Sequence, residues 1–206
     1  MNRFTSFGLG AAFALTAGLS ANFALAAPEV GAPAPAFSAT DTNGEAVDLS
    51  ALADKTVVLE WTNHGCPYVQ KHYNSNNMQQ LQTAATAEDV VWISVISSGP
   101  GKQGHVSAEE ANELTESRNA NPSHVVLDPS GEIGHMYDAR TTPHMFVIDK
   151  GTLVYMGGID SIRTADPADI PEATNYVSAA LDDIKAGRDV ATPVAKPYGC
   201  SVKYGS

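Results

Sequence analysis

The stretch NHGCPYVQKHY, residues 63–73, sets one cysteine, Cys66, between a glycine and a proline. Pro67 suits the first turn of a helix, where its missing N–H is not needed, so Cys66 stands at a helix mouth. There the unpaired N–H groups carry roughly half a positive charge, which favours thiolate. A fall in pKa from about 8.5 toward 7 raises the thiolate fraction at neutral pH from a few per cent to about half. His64, Lys71 and His72 are close in sequence and add candidate positive charge. A buried, inert cysteine is the alternative, but Gly65 and Pro67 keep the site at a turn. Six residues upstream, Glu60 sits in the apolar run TVVLEW. A buried carboxylate is costly unless paired or protonated, so Glu60 is expected to have a raised pKa and to move protons near the sulfur, or else to pair with Lys55 or another base.

The second thiol, Cys200, lies in the tail segment PYGCSVKY, where Gly199 allows a tight turn and Tyr198 and Tyr204 are placed to pin the tail to the body. A different chemistry is open to the histidines. His64, Cys66, His72 and His144, with Met145, are ligand types that suit copper if they converge, although His64 and Cys66 straddle a turn. His105, His124 and His135 read as solvated or structural. The loop Gly99–Gly104 lacks the Ser or Thr that a phosphate loop carries after its lysine, and reads as a mobile rim loop. No cofactor is expected.

These side chains need a scaffold. Phe37 to Leu49 reads as a hairpin around Asn43-Gly44. Thr56–Trp61 and Val90–Ile96 are continuous apolar runs, as expected of strands buried on both faces. Helices are expected from Pro67 to about Ala85, from the Ser107–Glu110 capping box to about Asn119, and from about Glu172 to Ala186. His124–Leu127 is a short strand, and His144–Ile148 and Thr152–Met156 form a hairpin around Lys150-Gly151. Residues 187–206 read as an irregular strap. The order predicts an α/β domain: a central mixed sheet with helices on both faces, parallel strands first and an antiparallel pair last.

The chain has 206 residues, 43% of them hydrophobic, enough for one domain with a sizeable core. Residues 1–26 carry Arg3, an interrupted apolar stretch and the small-x-small pattern Ala24-Leu25-Ala26, which predicts a secretory signal cleaved after Ala26. A membrane anchor is the alternative, but the run is short of the roughly 20 residues a span needs. Residues 27–36 are a Pro/Ala-rich lead-in. The net charge is −11, and −12 once Arg3 is lost, so nucleic acid and anionic membranes are not expected as partners. Export, periplasmic or secreted, puts both cysteines where disulfides persist and makes them candidates for a pair.

The segment VVLEWTNHGCPYV resembles the active-site segment of the thioredoxin-like superfamily, with a buried acid before the cysteine, a Trp-containing turn and Cys-Pro opening a helix. Thr142-Pro143 before HMFVID resembles the family's cis-proline, which faces the reactive sulfur and offers backbone to an extended substrate. The resemblance spans residues 37–186. It is closer to the AhpC/TSA (peroxiredoxin-like) and periplasmic thiol-reductase branches, and closest to exported redoxin-domain proteins with a GCPYV-x-KHY helix start and a PYGCSVKY tail. It implies a thioredoxin-like fold with an N-terminal β-hairpin extension and an irregular C-terminal tail. It also implies a thiol-dependent oxidoreductase with Cys66, Glu60, His64 and Pro143 in catalysis and Thr142, Pro67 and Trp61 at the substrate.

The family's second helix cysteine falls at Val69, which leaves Cys200 as the candidate resolving thiol. The competing reading is a permanent staple: closing a loop of 133 residues stabilises by about 5 kcal/mol on the chain-entropy model. A scaffold with no use for Cys66 is a third reading. The expected partners are a disulfide or peroxide substrate and a separate thiol reductant. Peroxide chemistry in the peroxiredoxins uses a Thr or Ser three residues before the nucleophile, an upstream Pro and an Arg. Here Asn63 and Leu59 hold the first two places, Thr62 is one residue out of register, and an arginine would have to arrive through space, Arg140 or Arg163 being the candidates. Disulfide exchange needs only a thiolate, a backbone platform and a proton donor.

Overall fold

The computed structural model describes Met1 and residues 27–205, so residues 2–26 of the expected leader lie outside the described residues. The hairpin forms as expected, β1 (Ser38–Thr40) pairing antiparallel with β2 (Ala46–Asp48). Its turn is fixed by Asp41, whose Oδ1 accepts the N–H groups of Asn43 and Glu45 at 2.9 Å each.

The central sheet is built from β3 (Thr56–Trp61), β4 (Val91–Ile96), β5 (His124–Leu127), β7 (His144–Asp149) and β8 (Thr152–Gly157), in the order β5-β4-β3-β7-β8. β3, β4 and β5 run parallel, while β7 is antiparallel to β3 and to β8. Side chains alternate between faces along a strand. In β3 this sends Val57, Leu59 and Trp61 to one face, with Phe37, Val47 and Leu49 of the hairpin region and Ile133 and Tyr137 of the short helix α4 (Glu132–Met136) and its C-cap. Val58 and Glu60 take the other face, toward Val69 of α1 (Pro67–Asn74), Met78 and Leu81 of α2 (Asn77–Ala87) and Val177 of α5 (Tyr176–Lys185). The thioredoxin-like arrangement, helices on both faces of a mixed sheet, is the one observed.

Three expected boundaries move. The helix expected over residues 67–85 is two, α1 (Pro67–Asn74) and α2 (Asn77–Ala87). Ser75 Oγ donates back to the carbonyl oxygens of Lys71 and His72, and Asn76 turns left-handed with φ +62°, which asparagine tolerates better than most residues. The next helix, α3 (Ala108–Ser117), opens on the expected Ser107–Glu110 capping box. The last helix, α5 (Tyr176–Lys185), is capped by Asn175 and starts at Tyr176, four residues later than expected, after a 3-10 turn at Pro167–Glu172. The tail is not wholly irregular: β9 (Cys200–Ser201) pairs antiparallel with β6 (Thr141–Thr142). No helix among the described residues is long and apolar enough to cross a membrane.

Candidate active site

The register of β3 against β7 builds the site. Trp61 at the end of β3 faces His144 at the start of β7, so the loop leaving β3 and the loop entering β7 emerge side by side. The first carries Cys66, the second the cis peptide bond Thr142–Pro143. Cys66 is the N-cap of α1, in extended conformation, with Pro67 following it in the first turn. Its thiol donates to the carbonyl oxygen of Thr142 at 3.1 Å.

The tail completes the arrangement. Thr142 pairs with Cys200 across the β6–β9 ladder, which sets the two cysteines on the same short edge. Gly199 has φ +133°, and a Cβ there would lie 2.0 Å from the Thr142 carbonyl oxygen, so only glycine brings the chain in this close. Tyr198 and Tyr204 pin the tail on both sides of Cys200. The Tyr198 hydroxyl donates to Asp160 Oδ1 at 2.6 Å, and the Tyr204 hydroxyl donates to the Ala139 carbonyl at 2.7 Å. Beneath this strap Cys66 is 0% exposed, whereas Cys200 is partly exposed. Both are free thiols.

The two thiols are electrostatically unequal. Burial pushes Cys66 up, but the Cys200 thiol, the Thr142 hydroxyl and the backbone N–H groups of Cys200 and Val69 favour its anion, and the net pKa lies below the ordinary thiol value. The Thr142 hydroxyl is buried and committed to no hydrogen bond of its own. Burial, and then the neighbouring Cys66, push Cys200 up to about 11. Of the pair, Cys66 is therefore the thiol that ionises first.

The positive charge expected from nearby side chains does not reach the sulfur. Lys71 is buried and bound to Asp160 Oδ2 at 3.2 Å and to the Ile162 carbonyl at 2.9 Å. Burial, opposed by Asp160 and assisted by Lys71, drops His72 to about 4, so it is neutral at pH 7. Burial and the charge of Arg118 likewise lower His64. The thiolate is stabilised by hydrogen-bond donors rather than by cations.

Glu60 is fully buried and raised in pKa by burial, against four donors: Tyr73 Oη at 2.9 Å, Gln82 Nε2 at 3.1 Å, Trp92 Nε1 at 2.9 Å and Ser94 Oγ at 3.1 Å. The expected alternative partner Lys55 is bound to Asp89 instead. Two of the donors, Tyr73 and Ser94, line a cavity of about 40 Å³ that His64, Thr62 and Arg118 also line. That is room for one or a few waters between the Glu60 cluster and the mouth of α1.

Other assignments are corrected. Trp61, expected at the substrate, is 0% exposed, donates from Nε1 to Ser97 Oγ at 3.0 Å and packs between Tyr137 and Phe146, so it is a core residue that presents no surface to the site. The copper set does not assemble. Among the described residues the one group of three or more His, Cys, Asp or Glu ligand atoms that converge is Asp41, Glu45 and His124, none of which belongs to it. His72 instead contacts Tyr198 and Asn77, and His144 accepts the Arg140 N–H. The Arg140 guanidinium is engaged by Asp138. Asn63 is spent on holding two loops together, its Oδ1 accepting Gly65 N–H at 2.9 Å and its Nδ2 donating to the Gln103 carbonyl at 3.1 Å.

Two residues of the site had no sequence signal strong enough to find them. Gln103, in the glycine-rich loop discounted above, donates to the Gly65 carbonyl at 2.8 Å and so docks that loop on the cysteine turn. Asp160, a lone acid after Gly157-Gly158-Ile159, gathers Lys71, Tyr198 and His72.

Comparison with known proteins gives the chain a family and a fold. The Redoxin family profile matches residues 29–175. The match ends before Cys200. No curated protein matches the chain. Among solved structures, a hypothetical protein from Sinorhizobium meliloti 1021 superposes with a TM-score of 0.70 at 20% identity, covering 88% of this chain and 97% of its own. An uncharacterized conserved protein from Geobacillus kaustophilus also reaches 0.70, at 24% identity over 86% and 93%. A thiol:disulfide interchange protein from Bacteroides sp. reaches 0.50 at 19% over 70% and 88%. At these identities the likeness is one of fold.

Proposed function

The chain belongs to the Redoxin family and is a thiol-dependent oxidoreductase, and within that class we propose that it reduces disulfides, with Cys66 as nucleophile and Cys200 as resolving thiol. The Cys66 thiolate attacks one sulfur of a substrate disulfide, the substrate S–S bond breaks, and one substrate thiolate leaves and takes up a proton. Cys200 then loses its proton and attacks the Cys66 sulfur of the mixed disulfide, releasing the second substrate thiolate. The substrate gains two electrons and two protons, and the protein is left with a Cys66–Cys200 bridge. A separate thiol reductant returns both thiols.

The observation that carries this reading is the pairing of Thr142 with Cys200 beside the Cys66 sulfur. The edge next to Pro143 takes an extended strand, as a protein disulfide would present, and the tail delivers a thiol to the same place. The order of steps follows from charge. While Cys66 is anionic it helps hold Cys200 near 11, and once Cys66 is capped by substrate that contribution vanishes and Cys200 becomes the easier thiol to ionise. Glu60 serves as the proton reservoir, through Tyr73, Ser94 and the cavity shared with His64. Disulfide is favoured over peroxide because Arg140 is held by Asp138 and Asn63 by Gly65 and Gln103. The chemistry takes place outside the cytoplasm, in the periplasm or beyond, after cleavage following Ala26.

The test is peptide mass mapping of the mature protein, with free thiols alkylated, across a series of thiol/disulfide buffers. A Cys66–Cys200 bridge that opens above about −300 mV supports the working pair. A bridge that stays closed well below that value is a staple, and absence of any bridge removes Cys200 from the mechanism. Parallel assays with a protein disulfide and with hydrogen peroxide separate the substrates, and N-terminal sequencing of protein recovered from outside the cytoplasm should begin at Ala27.

A further inference from the structure

The nucleophile's own helix grips the tail that carries the resolving thiol. Tyr68, Lys71 and His72 occupy positions i, i+3 and i+4 of α1, one face of a helix whose N-cap is Cys66. On that face lies the Tyr198 side chain, itself 7% exposed. Its ring meets the Tyr68 ring edge-on at 5.9 Å, and Lys71 Nζ stands 5.7 Å from its centroid. Its hydroxyl donates to Asp160 Oδ1 at 2.6 Å and lies 3.3 Å from His72 Nε2. His72 Nδ1 faces the Asn77 amide nitrogen at 2.8 Å and accepts from it, which leaves the proton on Nε2 to be donated to the Tyr198 oxygen. Every polar group around the tyrosine is thereby satisfied, including Asp160, whose charge is met by Lys71.

A buried ion pair such as Lys71–Asp160 contributes little net stability, because desolvation offsets its attraction. Its consequence here is registry. It holds a carboxylate where the Tyr198 hydroxyl must land, and two residues later Cys200 meets Thr142 and the Cys66 sulfur. We propose that Tyr198 is a positioning residue: the socket formed by Tyr68, Lys71, His72 and Asp160 latches the tail, sets how often Cys200 is presented, and sets how often Cys66 is uncovered for substrate. Cys66 is 0% exposed with the latch closed, so a substrate disulfide gains access when Tyr198 leaves the socket.

The functional purpose of the latch rests on the reading given under Proposed function, but its test does not need a redox reaction. In full-length protein carrying Cys200→Ser, Cys66 is alkylated with iodoacetamide with and without Tyr198→Phe. A hydrogen bond to a buried carboxylate accounts for about a tenfold to hundredfold change in the docked population, and alkylation through local opening should accelerate by about that factor. In protein with both cysteines, glutathione disulfide oxidises the dithiol to the bridge with release of two glutathione thiols. The effective concentration of Cys200 read from that equilibrium should fall by about the same factor. The far-ultraviolet spectrum and the unfolding midpoint of the reduced variant show whether the domain is intact. Tyr68→Leu, which leaves the Asp160 cluster whole, provides a second variant with a smaller shift in the same direction. Unchanged alkylation in folded Tyr198→Phe or Tyr68→Leu protein overturns the latch. Faster alkylation without any measurable Cys66–Cys200 bridge would keep the latch and overturn the resolving role.

Discussion

Thr142 accepts the Cys66 thiol at its carbonyl oxygen, 3.1 Å away, and pairs through the same short strand with Cys200. One backbone segment therefore orients the nucleophile and docks the second thiol. The two cysteines are 134 positions apart in sequence, yet the geometry between them depends on this residue and on the glycine that lets the tail approach it.

Gly199→Ala should open the site. The added Cβ would lie 2.0 Å from the Thr142 carbonyl oxygen, at a φ of +133° that L side chains rarely adopt. Local strain of about 1–3 kcal/mol is enough to displace the tail while the central sheet, which Gly199 does not touch, stays folded. The expected outcome is faster alkylation of Cys66 and slower formation of the Cys66–Cys200 bridge, read by mass spectrometry. Unchanged rates for both would show that the tail does not cover the sulfur in solution.

The Cys66 pKa should depend on what occupies position 200. The Cys200 thiol is the largest of the contacts that favour the Cys66 anion. Removing a donor from an anion raises its pKa, so Cys200→Ala moves the inflection of the Cys66 alkylation profile to higher pH, and Cys200→Ser, which keeps a hydroxyl donor, moves it less. Thr142→Val, which deletes the hydroxyl that also favours the thiolate, shifts the profile the same way. The measurement is the rate of iodoacetamide labelling between pH 5 and 10.

How far this site was legible in the sequence depends on range. Cys66 at its helix mouth, the hairpin and the five sheet strands carry their signals within a few residues, as spacing, caps and apolar runs, whereas Pro143 is marked only by resemblance to the family's cis-proline. The split between α1 and α2 was also written locally, in Asn74-Ser75-Asn76-Asn77, but helical phase on both sides masked it. Trp61 misled because alternation along β3 sends it into the core while its neighbours in the loop face the site. Lys71 and His72 misled for a different reason: closeness in sequence to Cys66 says nothing about Asp160, 89 positions from Lys71, which claims both. The pairing of β6 with β9 involves two residues on each side, too few for any period to show.

Glu60→Gln tests the buried acid through pH. Burial raises the folded pKa of Glu60 above its unfolded value, so the folded state holds the proton more tightly. The stabilisation from that proton is full below the unfolded pKa and is lost as pH rises through the folded pKa. Glutamine has no such dependence. The variant should be less stable than the parent by about 1–3 kcal/mol at pH 5, because an amide cannot match all four donors, and the gap should narrow toward pH 8. Urea unfolding at the two pH values reads this directly, and a gap that widens with pH would mean that Glu60 is ionised in the fold. A matching loss in turnover of a disulfide substrate, with the Cys66 alkylation rate intact, assigns the proton-reservoir role.

His72 and His144 make the fold acid-sensitive. Burial lowers each to about 4 from an ordinary 6.5. For a histidine depressed in the fold, the stabilisation is full above the unfolded pKa and is lost as pH falls from about 6.5 toward 4, on the order of 3 kcal/mol for each ring. The imidazole resonances of both should therefore show no inflection between pH 5.5 and 8 by NMR, while unfolding free energy falls steadily below pH 6.5. His72 also contacts the Tyr198 hydroxyl, and its protonation removes no donor from that contact, since Nε2 already carries the proton. Protonation adds a proton at Nδ1 instead, where Asn77 donates, so acid should first loosen the turn between α1 and α2. Hydrogen exchange at pH 5 compared with pH 7 locates that opening: faster exchange confined to residues 74–78 fits this order, whereas faster exchange starting in the tail would place the weak point at Tyr198.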